Sequence, residues 1–126
     1  MKIAIVLGGA SSEKGISILT GLSVAEALVG KYDTEVIHIG SDISILPEKL
    51  LGSNVVFNAL HGRFGEDGYV QTILETAKVK YTHSGVIASY IAMDKEISKK
   101  LFLKNKIITP KYLKYKFNKN SSIKKK

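Results

Sequence analysis

Two short segments concentrate the residue types that can do chemistry. Residues 8–13 read Gly-Gly-Ala-Ser-Ser-Glu, and residues 61–68 read His-Gly-Arg-Phe-Gly-Glu-Asp-Gly. In the first, glycines permit positive φ and a close approach of backbone to a ligand. The carboxylate of Glu13 can hold an ammonium group there. It can instead cap the helix that follows, where a negative charge meets the positive end of the helix dipole. In the second segment, His61 can exchange a proton near neutral pH or bind a ligand. It can also serve as a hydrogen-bond donor within its own loop. Its place after an apolar run, beside glycine, favours the site role. Glu66 and Asp67 read as charges at the start of the next helix. His38 and His83 lack such a setting and read as structural or surface residues. Lys95, in Ala92-Met93-Asp94-Lys95, can reach an anionic phosphate or stand in solvent at a helix end. The first segment is not a Gly-x-Gly-x-x-Gly fingerprint and does not end in Gly-Lys-Ser/Thr.

These segments need elements to position them. Residues 3–7 are apolar and β-branched, and glycines stop them, which predicts a buried strand. Ile16, Leu19, Leu22 or Ser23, Ala27 and Leu28 recur at helical spacing up to Gly30, which predicts a helix. Further strands are expected at 35–39, 54–60 and 80–82. Further helices are expected at 44–51, with Pro47 in its first turn, and at 69–78. An apolar helix should run through Met93, with Ser84 as its N-cap, and a Lys-rich one over 95–105. Strands alternating with helices predict an α/β fold: a three-layer, Rossmann-like parallel sheet with helices on both faces. Ligands bind such sheets beyond the carboxyl ends of the strands. Both glycine segments fall there. Residues 111–117 alternate polar and apolar, which predicts a half-buried strand, and 118–126 read as a disordered basic tail.

The chain has 126 residues, 19 Lys and Arg against 11 Asp and Glu, and no Cys. The lack of Cys removes disulfides, thiolate zinc sites and Cys nucleophiles. No metal site is expected. The net charge of +8 is unevenly placed: residues 1–94 sum to −3 and residues 95–126 to +11. A basic tail can bind RNA, DNA or acidic lipid. Its aromatics, Tyr112, Tyr115 and Phe117, suit a strand better than a stacking platform, so nucleic acid is not the expected partner. No run approaches the ~20 apolar residues of a membrane span, and no targeting signal is read at the N-terminus. A cytoplasmic protein is expected.

Taken together, the segments resemble a known family. Gly8-Gly9-Ala10-Ser11-Ser12-Glu13, followed by Ile16-Ser17, resembles the first signature of the D-alanine–D-alanine ligases. Asn58-Ala59-Leu60-His61-Gly62-Arg63-Phe64-Gly65-Glu66-Asp67-Gly68 resembles the second. Tyr81 to Val86 and Ala92-Met93-Asp94-Lys95 continue the resemblance in order, over about residues 2–110. The resemblance implies the N-terminal, pre-ATP-grasp domain of an enzyme that joins two D-alanines with ATP, through an acyl phosphate, for peptidoglycan. It implies Glu13 and His61 as catalytic residues. Glu13 would orient the ammonium of the first D-alanine, and His61 would lie beside its carboxylate or the acyl phosphate. Ser17 and Gly62 would join them in binding substrate, and Lys95 would belong to the ATP-phosphate environment.

The family usually has Arg-Glu-Val after the first Glu, where this chain has Lys14-Gly15-Ile16. Lys14 keeps the charge without the planar fork of Arg. The resemblance divides the chain into a substrate domain (1–94), the start of an ATP-grasp domain (95–117) and the tail (118–126). It implies ATP and Mg²⁺ as cofactors of the complete enzyme, with neither expected to bind well to this chain, and no ligase activity expected of the chain alone. D-alanine, a second copy of the chain and a separate ATP-grasp chain are the implied partners. A non-catalytic dimerising remnant, or one half of a split ligase, is the alternative reading.

Overall fold

The structure is a computed structural model and describes residues 1–115. Four strands form one parallel sheet in the order β2-β1-β3-β4: β1 (Lys2–Gly8), β2 (Asp33–Ile39), β3 (Val55–Asn58) and β4 (Lys80–Tyr81). Helices α1 (Lys14–Leu28), α2 (Leu46–Lys49) and α3 (Tyr69–Thr76) connect them, and α4 (Val86–Met93) and α5 (Lys95–Lys104) follow. The expected α/β class and parallel sheet are present. The central strand β1 is buried from Ile3 to Leu7 because both of its faces are covered. Ile5 sits in register with Val36 on one side and Phe57 on the other.

The pleat sorts the core into two layers. Ala4, Val6, Ile37, Ile39 and Val56 meet Leu46 and Leu50 of the α2 region and Val70 and Leu74 of α3. The opposite face carries Ile5 and Leu7 against α1. In that second contact the apolar stripe of α1 does not face the sheet. Ile16, Leu19 and Leu22 are exposed by 55%, 65% and 51%, while Ser17 and Gly21 are buried. The reason is steric: a Cβ on Gly21 would lie 2.6 Å from Leu7 Cδ2 and 2.7 Å from its Cβ. Small residues let α1 lie close on β1, and the apolar stripe turns outward.

Other expectations shift. Ser84 does not cap α4: Gly85 holds that position, and the Ser84 carbonyl instead accepts a hydrogen bond from Ser89 Oγ. The apolar α4 is largely exposed at Ile87 and Tyr90. Asp94 both ends α4 and begins α5: its N–H donates to the Tyr90 carbonyl, and its side chain accepts from the N–H groups of Glu96 (2.9 Å) and Ile97 (3.0 Å). Ser98 Oγ lies within donating reach of the Ile91 and Ala92 carbonyls at the end of α4, which seats α5 on α4. Residues 111–115 do not form the expected strand. They are pinned to α5 instead. Lys99 Nζ donates to Thr109 Oγ1 and the Pro110 carbonyl and lies 5.3 Å from the Tyr112 ring centre. Lys114 pairs with Glu96. The expected tail, 118–126, lies outside the described residues.

Candidate active site at the carboxyl edge of the sheet

The chain leaves β1 through a turn that only glycine fits. Gly8 has φ +100°, and a Cβ there would sit 2.4 Å from the Ile39 carbonyl oxygen. The Gly9 N–H then donates to that carbonyl at 2.8 Å. From below, Ser17 ties the turn to α1: its buried hydroxyl accepts the Gly8 N–H at 2.8 Å. Ser17 is thus a support of the loop, fully shielded from solvent.

Glu13 stands at the N-cap position of α1 but gives the helix no side-chain hydrogen bond. Its own N–H is held by Ser11 Oγ at 3.0 Å. The carboxylate points instead toward the second loop. A Cβ on Gly62 would meet Glu13 Oε2 at 2.7 Å and Ser11 Oγ at 2.6 Å. So the helix-capping alternative does not describe the side chain, and the Glu13 carboxylate lies against the residue next to His61.

The second loop is braced internally. Asn58, at the end of β3, accepts the Leu60 N–H and donates to the Gly65 carbonyl at 2.9 Å, which Gln71 Nε2 also reaches at 2.9 Å. Asp67 accepts the N–H groups of Phe64 and Tyr69. Glu66 does not serve the helix as expected. Its Oε2 accepts the Gly62 N–H at 2.8 Å, and its Oε1 lies 3.6 Å from His61 Nδ1. Among the described residues, the buried Nε2 of His61 has no hydrogen-bond partner.

A small cavity separates the loops, and its walls include Gly9, Ala10, Ser41, His61 and Arg63. The loop after β2, at Gly40-Ser41, is therefore part of the site, as is Arg63, whose guanidinium lies 4.8 Å over the Phe64 ring. Sequence reasoning missed both; the glycine that stops β2 was the available signal. The structure brings Glu13, Ser17, Gly62 and His61 together. Lys95 is exposed at the start of α5, and no hydrogen bond or ion pair among the described residues joins it to Glu13 or His61. His83, read as a structural or surface residue, has φ +88° and an edge contact with Phe57, and its Nδ1 is 2.9 Å from Thr82 Oγ1. Among the described residues, no cluster of three or more His, Asp or Glu could hold a metal. None of their helices is long and apolar enough to cross a membrane.

A parallel sheet with helices on both faces and glycine loops at its carboxyl edge defines an α/β domain of the kind whose ligands bind at that edge. The family model described as D-ala D-ala ligase N-terminus matches residues 42–84. A D-alanine–D-alanine ligase of Pelagibacter ubique is 56% identical over 94% of this chain and 39% of that protein. One of Syntrophotalea carbinolica is 47% identical over 86% of this chain and 36% of its own length. The crystal structure of a D-alanine–D-alanine ligase from Bacillus anthracis complexed with ATP superposes with a TM-score of 0.79. It is 37% identical, over 95% of this chain and 43% of that one. The chain belongs to the D-alanine–D-alanine ligase family and corresponds to its N-terminal domain. It spans about two fifths of the length of these relatives.

Proposed function

We propose that this chain supplies the part of a D-alanine–D-alanine ligase that holds the first D-alanine for ATP-dependent peptidoglycan dipeptide formation in the cytoplasm. The observation that carries this reading is the Glu13 carboxylate lying against Gly62, beside His61, and unspent on its helix. A carboxylate there pairs with the substrate ammonium. The imidazole of His61 faces the substrate carboxylate or the acyl phosphate, where a donor stabilises developing negative charge. Ser17 acts through the turn it braces, and Gly62 lets the two loops close.

ATP and Mg²⁺ belong to the complete enzyme in this reading. The described residues offer no metal-ligand cluster, and Lys95 is the one cation proposed to face ATP phosphate. The remaining ligands would come from an ATP-grasp part, on this polypeptide or a separate one, beginning after residue 94. The chain alone should release no phosphate from ATP in the presence of D-alanine. Addition of a separately expressed ATP-grasp part should restore release, and Glu13→Ala should abolish the restored activity. Turnover by the lone chain, or wild-type turnover by the reconstituted variant, would defeat the reading.

A second copy of the chain is the further partner proposed. The exposed stripe Ile16, Leu19, Leu22 lies on a helix whose only charges are Lys14 and Glu26. A further exposed apolar surface, around Leu103 and Leu113, is crowded with Lys, so two copies would repel there. Light scattering should show a concentration-dependent dimer that Leu19→Glu disperses. A monomer at all concentrations would rule it out.

A further inference from the structure

We propose that Glu66 is a positioning residue for His61, fixing which ring nitrogen meets the ligand. The proposal rests on the reading of His61 as a site residue. Glu66 spans the turn of its own loop: one carboxylate oxygen takes the Gly62 N–H at 2.8 Å, and the other lies 3.6 Å from His61 Nδ1. The first bond anchors the carboxylate, so its charge is held on one side of the imidazole. A fixed negative charge favours a proton on the nitrogen that faces it. That nitrogen is Nδ1. Nε2 is then the atom left for a ligand, and it is the nitrogen that is buried without a partner among the described residues. His61 also lines the small cavity shared with Gly9, Ala10 and Ser41.

The same carboxylate has two separable duties. The bond to Gly62 N–H closes the loop, and a neutral amide oxygen can replace it. The hold on Nδ1 requires the charge. Glu66→Gln therefore keeps the first and loses the second, whereas Glu66→Ala loses both. A carboxylate that faces one histidine nitrogen selects the tautomer and the ring orientation in this way.

The test is long-range proton–nitrogen NMR on the ring-labelled 126-residue chain, at a pH where the His61 ring is neutral. Wild type should show a pyrrole-like Nδ1 and a pyridine-like Nε2. Glu66→Gln should lose that pattern toward Nε2–H, with the Gly62 amide resonance still at its folded position. Glu66→Ala should move the Gly62 resonance as well. An Nε2–H ring in wild type, or an unchanged pattern in Glu66→Gln, overturns the proposal. A separate D-alanine titration distinguishes the two claims. If D-alanine leaves His61 untouched while the tautomer responds to Glu66→Gln, the substrate reading fails and the positioning role stands.

Discussion

Gly62→Ala probes the meeting of the two loops directly. Gly62 has φ +63°. A side chain in that left-handed region costs about 1–2 kcal/mol. The added Cβ would also lie 2.6 Å from Ser11 Oγ and 2.7 Å from Glu13 Oε2, both well inside ordinary contact. Those atoms end short or flexible side chains, so they swing aside rather than unfold the loop. Ser11 Oγ cannot do so freely, because it holds the Glu13 N–H at 3.0 Å. The expected outcome is a stability loss of about 1–2 kcal/mol, or roughly 4–8 °C in Tm for a chain of this size. The resonances of Ser11 and Glu13 should move with it. Gly15→Ala is the control: Gly15 lies inside α1 with nothing within 4 Å of an added Cβ. It should gain about 0.5–1 kcal/mol from helix propensity. Thermal melts and amide spectra of both variants decide the matter. A Gly62→Ala chain that melts like wild type with unmoved Ser11 and Glu13 signals would refute the juxtaposition.

Three further outcomes follow from the same contacts. Ser17→Ala should cost about 1–3 kcal/mol in denaturant unfolding, because the buried Gly8 N–H loses its acceptor. Gly21→Ala should destabilise by about 1–3 kcal/mol through overpacking on Leu7, offset by about 1 kcal/mol of helix propensity, so a net gain would show that α1 does not press on β1. Lys100 and Lys114 beside Glu96 hold its carboxyl down at about 2. A lowered carboxylate contributes stability above its unfolded value of 4.5, and that contribution is lost as pH falls toward 2. Residues 111–115 should therefore loosen from α5 across that acid range, and Lys114→Ala should raise the Glu96 midpoint in a carbon-detected titration.

The sheet was legible because β1 and β3 are short apolar runs stopped by glycine or a polar loop, and that pattern has few other readings. The placement of the candidate site was legible for the same reason, since loops after parallel strands lie at one edge. The inward face of α1 was not. Periodicity marks an apolar stripe but cannot say which side a close-packed neighbour needs. Here Leu7 requires Gly21, so the small residues face in. Alternation at 111–117 also misled, because Lys99 and Glu96 secure described residues 109–114 to a helix rather than to a strand partner. Glu66 looked like a helix-start charge by position alone. Only the fold shows it turned back to Gly62 and His61.

The most direct test of the central claim is a D-alanine titration of the labelled chain by amide NMR, with Glu13→Gln beside wild type. Binding at the two loops should give shifts confined to Ser11–Lys14 and His61–Gly62 that vanish in Glu13→Gln. Shifts centred elsewhere, or equal in the variant, would contradict it.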